Sequence, residues 1–220
     1  LDFLAAGPAP IFIGFGSMVI NKPQKLLKMI IEAAEQNGDE RIIIQSGWTK
    51  FDKALPAGPS AAFPPNVLHL GPAPHGWLMP RVGAVVHHGG AGTVAAGLRA
   101  GKPTFVCPFF GDQHFWGALM SERGVGPPPC PVRNLTASKL AHAFQTLRDP
   151  EVISNAEKMA ACIAKEDGIA GGVETLYLNL ETLPRNSDGK PTKDWTEHRQ
   201  HLETVTDSFV NFSLRRVRII

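Results

Sequence analysis

Gly83-Ala84-Val85-Val86-His87 is an unbroken run of small, β-branched and apolar residues, and Gly89, Gly90 and Gly92 mark its junction with the alanine-rich stretch 91–100. A run without polar alternation suits a strand buried on both faces, as in a parallel sheet covered by helices. Glycines at the junction remove the Cβ atoms that would hold a ligand away from the backbone. The helix start leaves N–H groups unpaired at the positive end of its dipole. Strand, glycine turn and helix in that order specify a βα unit with a seat for an anion, phosphate being the natural occupant. His87 and His88, adjacent at the strand end, leave the backbone in opposite directions, so only one can face that seat. His88, nearer the glycines, is the residue expected there.

The same alternation extends along the chain. Ile11–Ser17 reads as a short strand ending in glycines, and Pro23 opens a helix whose stripe is Leu26, Leu27, Ile30, Ile31 and Ala34, stopped at Asn37-Gly38. Strands are expected at Arg41–Ser46, Val67–Leu70 and Thr104–Cys107, with a loop over 51–65 and a short helix around Trp77-Leu78-Met79. Helices follow over Asp112–Arg123, from Thr136 to about Arg148, from Pro150 to about Lys165, and from Gly171-Gly172 through Leu180, with Pro127–Pro131 as a proline-rich surface connection. The pattern predicts a Rossmann-like α/β domain over 1–180, a parallel sheet with helices on both faces. Residues 181–220, polar through Trp195 and then weakly periodic at Leu202, Val205, Phe209 and Phe212, read as a polar linker and a helical tail.

Composition narrows the function by exclusion. A net charge of +2 over 220 residues, with basic residues scattered apart from Arg215, Arg216 and Arg218, gives no case for nucleic acid. No apolar run approaches the roughly 20 residues of a membrane span. Cys107, Cys130 and Cys162 lie far apart and form no CxxC pair, which fits a reducing, cytoplasmic setting and supports neither a disulfide framework nor a metal site. Leu1 follows no initiator Met and begins no signal-peptide pattern, so the chain is expected to be a piece cut at an interdomain linker.

Several familiar motifs fail on inspection. Gly14-Phe15-Gly16-Ser17 lacks the third glycine of a dinucleotide fingerprint, which would fall at Val19, and Gln45-Ser46 stand where an acidic residue should close the next strand. A nucleophile elbow would need Ser at Ala91, and no Gly-Lys-Ser/Thr makes a P-loop. Ser17 remains a phosphate contact by helix–anion logic, against a bare strand-to-loop turn. Asp112-Gln113 follows Gly111 at the carboxyl end of a strand, where open α/β sheets bind ligands. A carboxylate beside an amide suits paired sugar hydroxyls, although Asp112 also suits a helix N-cap. Trp48 either stacks a base or packs its loop. A phosphate seat and a hydroxyl-reading pair together point to a nucleotide-sugar site.

The segments GFGSM (14–18), QSGW (45–48), PHGWLMPRVGAVVHHGGAGT (74–93), AAGLRAGKPTFVCPFFGDQHFWG (95–117) and SERGVGP (121–127) resemble the C-terminal, donor-binding half of GT-B glycosyltransferases, closest to the fungal sterol 3-β-glucosyltransferases. The resemblance covers most of residues 10–180. It implies transfer of glucose from UDP-glucose to a sterol 3-hydroxyl with inversion and without an essential metal or other cofactor. It assigns Ser17, His88, Gly90, Gly92 and Thr93 to the diphosphate, Asp112 and Gln113 to the glucose hydroxyls, and Trp48 and His75 to the vicinity of the uridine. Pro72 and Ala96 depart from the related plant signature, which has a base-stacking Trp and a ribose-binding Glu there, and Gly76 replaces an acidic residue of the sterol enzymes.

The resemblance further implies that the acceptor pocket and catalytic base, a His with a partner Asp, belong to an N-terminal domain. None of the eight histidines here matches that motif. The expectation is a donor-binding chain with no catalytic residue and no turnover by itself, the sterol or other lipophilic acceptor being met through the N-terminal domain. Membrane contact is then peripheral at most. A noncatalytic nucleotide-sugar-binding module, or the donor subunit of a two-chain transferase, are the alternatives.

Overall fold

A computed structural model describes residues 2–49, 51, 62–181 and 187. The chain divides into two compact units, Leu1–Ile163 and Ala164–Ile220.

The first unit opens with a short helix, α1 (Asp2–Ala5), and strand β1 (Ile11–Gly14). There follow α2 (Pro23–Glu35), β2 (Ile42–Gln45), β3 (Val67–Leu70), α3 (His75–Leu78), which runs into a 3₁₀ turn to Arg81, and β4 (Ala84–His87). Then come α4 (Ala91–Arg99), β5 (Thr104–Val106), α5 (Gln113–Glu122), α6 (Ala137–Leu147) and α7 (Pro150–Ile163). The strands form one five-stranded sheet in the order β3-β2-β1-β4-β5. Every pairing is parallel, with Ile11 opposite both Ile42 and Ala84, and Val85 opposite Thr104.

The continuous apolar runs are explained by burial on both faces. Ile11, Ile13 and Phe15 turn to one side, with Leu26, Leu27 and Ile30 of α2 and Leu140, Phe144 and Leu147 of α6. Phe12 turns to the other, with Ile43, Val85, Leu78, Met79 and Val82. Each fully buried Ile, Leu or Phe contributes about 1.5–3 kcal/mol relative to exposure. Pro23 takes the first helical position of α2, where its missing N–H is not needed. Thr136 caps α6, its hydroxyl accepting from the Lys139 N–H at 3.2 Å.

At the amino edge of the sheet Arg148 forks onto Glu40, its Nη2 reaching Oε1 at 2.5 Å and its Nε reaching Oε2 at 3.1 Å. The same Nη2 donates to the Ala9 carbonyl at 2.8 Å. This ties the end of α6 to the segment that leads into β1.

Two details differ from the sequence reading. The Pro127–Pro131 connection is not merely a surface link. It follows β5, the Thr104 N–H donating to Val125 O at 2.9 Å and the Cys130 N–H to Val106 O at 3.1 Å, and Pro127 is buried. In the second unit, helix α8 (Gly168–Glu181) begins before Gly171-Gly172 and encloses both glycines. The reason is Asp167, whose Oδ1 accepts from the Ile169 and Ala170 N–H groups at 3.2 and 2.9 Å and so starts the helix earlier. The expected linker and tail lie outside the described residues, as does most of the 51–65 loop, save 181 and 187 of the tail.

Among the described residues no helix is long and apolar enough to cross a membrane.

Candidate functional site

Because all strands run the same way, their carboxyl ends share one edge. The chain builds outward from β1 through β2 to β3 and then returns to lay β4 on the other flank of β1. The exit loops of β1 and β4 therefore diverge and leave a crevice, the place where open parallel sheets bind ligands. Gly16, Ser17, His88, Gly89 and Gly90 are the residues of those two loops.

The two histidines part as alternation requires. His87 is fully buried, and its Nδ1 accepts from the Gly89 N–H at 2.9 Å. Burial, with His88 and His75 adding to it, lowers its pKa to about 3, so the ring is neutral. It shapes the turn from beneath. Gly89 sits at φ +92°, and a Cβ there would stand 2.7 Å from Val106 Cγ1, so only glycine serves.

His88 lies on the crevice side, half-buried, its ring in a slot between two backbones. A Cβ on Gly16 would approach its Cε1 to 3.2 Å, and one on Gly90 its Nε2 to 2.4 Å. Its Nδ1 is shielded from solvent and has no hydrogen-bond partner among the described residues. Burial lowers the His88 pKa, the Asp112 carboxylate pulls it the other way, and His75 lowers it further. His75, His88 and Asp112, far apart in sequence, thus share one electrostatic neighbourhood.

Helix α4 starts at this point. Gly90 is its N-cap and has no side chain to offer; the Thr93 and Val94 N–H groups turn back to the Gly90 carbonyl at 2.9 and 3.0 Å. The N–H groups of Gly90, Ala91 and Gly92 make no hydrogen bond among the described residues. A Cβ on Gly92 would meet nothing within 4 Å, so the surface beside this first turn is open. Unpaired amides, a dipole end and an adjacent imidazole have the chemistry that suits an anion.

Asp112 stands at the N-cap position of α5, yet its backbone is already helical (φ −67°, ψ −12°) and its side chain makes no capping bond. The carboxylate is exposed and accepts instead from the Trp116 Nε1–H at 3.0 Å through Oδ2.

Gln113 is placed differently from Asp112. It is buried, and its Oε1 accepts from the Phe109 and Phe110 N–H groups at 2.8 and 3.3 Å. Among the described residues its amide nitrogen meets only the Met18 sulfur, at 3.7 Å. The side chain braces the β5–α5 loop with its oxygen and keeps its N–H donors weakly engaged.

Ser17 is exposed in the β1 loop and Thr93 half-buried in the first turn of α4. Trp48 is 71% exposed, while its backbone N–H donates to the Gly16 carbonyl at 3.0 Å. His75 opens α3, its Nε2 3.3 Å from Gln45 Oε1 and its ring edge-on to Phe12; burial lowers its pKa.

Two supporting contacts are absent from the sequence reading. Buried Thr49 donates to Met18 O at 2.9 Å and accepts from the Ile20 N–H at 3.1 Å, stitching the β1 and β2 loops together. Ser46 Oγ lies 2.7 Å from His69 Nε2, with Phe63 stacked on that imidazole. A lone Thr or Ser after a strand carries no signal of such a role. Among the described residues no three His, Cys, Asp or Glu side chains gather as a metal site.

A family model for the erythromycin biosynthesis protein CIII-like C-terminal domain matches residues 37–169. The chain belongs to this family. Its CIII-like fold recurs in solved glycosyltransferases: the spinosyn rhamnosyltransferase SpnG superimposes with a TM-score of 0.62 at 20% identity, over 78% of this chain and 45% of that one. Glycosyltransferase VinC, solved in complex with dTDP, gives 0.61 at 20% identity, over 80% of this chain and 43% of its own. The fold is thus that of one half of a GT-B glycosyltransferase.

Sequence relatives come from plants and fungi. The Arabidopsis thaliana sterol 3-beta-glucosyltransferase UGT80A2 is 42% identical over 186 residues, 84% of this chain and 28% of that protein. A sterol 3-beta-glucosyltransferase of Cryptococcus neoformans is 37% identical over 219 residues, 94% of this chain and 13% of that protein. This CIII-like chain therefore spans less than a third of the length of either relative.

Proposed function

We propose that the chain is the UDP-glucose-binding half of an inverting glucosyltransferase that delivers glucose to a sterol 3-hydroxyl. The observation that carries this reading is the set of unpaired amides at Gly90, Ala91 and Gly92, beside His88 at the β1/β4 crevice and within the field of Asp112. The sterol 3-beta-glucosyltransferases among its relatives supply the acceptor class, and the dTDP bound to VinC supports a nucleotide diphosphate as the ligand of this fold.

In this reading Ser17, His88, Gly90, Gly92 and Thr93 hold the diphosphate, while Trp48 and His75 lie near the uridine. Asp112 accepts from glucose hydroxyls, and Gln113 contributes through its amide N–H groups, since its oxygen is occupied. The acceptor oxygen attacks the anomeric carbon from the face opposite the diphosphate. The new C–O bond forms as the bond to UDP breaks, and the hydroxyl proton passes to a base outside this chain. Negative charge gathers on the leaving diphosphate, where the α4 amides and dipole meet it without needing to reorient. No metal is required in this scheme. The sterol is met through an N-terminal acceptor domain working in the cytoplasm, with peripheral membrane contact.

Calorimetric titration with UDP, UDP-glucose and other nucleotide sugars is the first test, and UDP-glucose binding without transfer to sterol is the expected result. A longer polypeptide that includes the upstream domain is expected to transfer radiolabelled glucose to a sterol, with or without divalent metal. Absence of binding at millimolar UDP by folded protein would sink the proposal.

A further inference from the structure

Asp112 stands at the N-cap position of α5 without capping it, and what holds its carboxylate is one side chain a turn further along. Trp116 donates from Nε1 to Asp112 Oδ2 at 3.0 Å, and its backbone N–H donates to the Asp112 carbonyl at the same distance. Residues at i and i+4 meet on one helix face, and the rigid indole has only two side-chain torsions, so the bond fixes the carboxylate at little entropic expense. Phe115 meets the indole edge-on, with centroids 5.3 Å apart. The bond consumes one acceptor direction of Oδ2 and leaves Oδ1 wholly unengaged, since the Asp112 side chain makes no other hydrogen bond among the described residues. Left alone, an exposed aspartate at this position would fold back onto the free N–H groups of its own helix. Here the helical backbone of Asp112 already keeps the side chain off those groups, and the Trp116 bond decides which way the freed carboxylate then points.

We propose that Trp116 is a positioning residue for sugar recognition: by bonding Asp112 Oδ2, it sets the direction in which the carboxylate accepts from sugar hydroxyls. The proposal rests on the reading of Asp112 as a glucose contact, and the experiment separates the two. Trp116→Phe keeps the ring and removes the donor. Titration of wild type, Trp116→Phe, Asp112→Ala and the double variant with UDP and with UDP-glucose gives the affinity ratio between the two ligands.

Trp116→Phe is expected to lower that ratio by about three- to tenfold, the equivalent of one hydrogen bond, with UDP affinity unchanged. Asp112→Ala should lower it at least as far, and Trp116→Phe added to Asp112→Ala should do nothing more. The Trp116 indole N–H resonance, identified by its absence from Trp116→Phe, should move in Asp112→Ala.

A ratio unchanged in Trp116→Phe but lowered in Asp112→Ala overturns the positioning role and leaves the donor reading intact. A ratio unchanged in Asp112→Ala removes the glucose contact and the positioning role with it. Independent effects in the double variant, an unmoved indole resonance, or an equal loss of UDP affinity in Trp116→Phe also overturn the role. Should Trp116→Phe fail to fold, Trp116→Gln and Trp116→Met, of similar length with and without a donor, make the same comparison. A higher ratio for Gln supports the proposal and equal ratios refute it.

Discussion

Gly92→Ala adds one methyl to the first turn of α4, and with the diphosphate seated as proposed it should act in opposite directions on the free and the ligand-bound protein. Gly92 is exposed, its φ is not positive, and a Cβ there would meet no atom within 4 Å. Alanine is therefore free of strain and restricts the unfolded chain, which stabilises by about 0.4–1 kcal/mol. For a protein of this size that raises Tm by about 1–4 °C. Binding moves the other way. A methyl beside the Gly92 N–H keeps a phosphate oxygen from reaching it, and losing one charge-assisted hydrogen bond costs about 1.5–3 kcal/mol, or roughly ten- to a hundredfold in Kd. UDP at about 100 times the wild-type Kd adds about 2.7 kcal/mol of stability, and at the same concentration the variant should gain only about 0.4–1.4 kcal/mol. Scanning calorimetry with and without UDP measures both effects on one sample. An undiminished UDP increment, in a variant whose free Tm has risen, would show that the diphosphate does not sit on the start of α4.

Two further outcomes follow from groups outside that seat. The native His87 ring takes its proton only near pH 3, against about 6.5 when unfolded, so the unfolded chain binds more protons in between. Stability should be complete above about pH 6.5 and fall as pH drops toward 3, and His87→Asn, which keeps an acceptor for Gly89 and does not titrate, should flatten that fall in urea melts at pH 7 and pH 5. Arg148→Lys replaces a two-nitrogen fork on Glu40 and Ala9 with a single point charge. With side chains 32% and 13% exposed the loss should be about 1–3 kcal/mol, seen as a lower urea midpoint at unchanged m, and no loss would mean solvent already screens the pair.

Much of the fold was legible because burial on both faces leaves a local mark. Ile42-Ile43-Ile44 and Ala84-Val85-Val86 could be little other than central parallel strands, and the glycines after His88 marked the turn into α4. The parting of His87 from His88 also followed from local geometry alone. What stayed hidden was long-range. Arg148 and Glu40 lie 108 residues apart, and nothing near either names its partner. Asp112 read equally well as a helix cap, and only its helical backbone and its bond to Trp116 decide against that. Gln113 carried a legible motif but a concealed duty, because the N–H groups it accepts from belong to a loop whose path no periodicity specifies. The start of α8 was misplaced because glycine is a strong local breaker, whereas the Asp167 side chain that starts the helix acts before the glycines are reached.

The segment that follows β5 has a bearing on how the protein behaves at high concentration. A last strand ordinarily presents a row of N–H and C=O groups on which another chain can polymerise. Here Val125 and Cys130 already bond to that row, and a Cβ on Gly126 would lie only 1.8 Å from the Thr104 oxygen, so the segment runs against the strand with no room between. Between those two bonds, Pro127, Pro128 and Pro129 carry no N–H to offer a newcomer. Growth by strand addition is closed at this margin of the sheet.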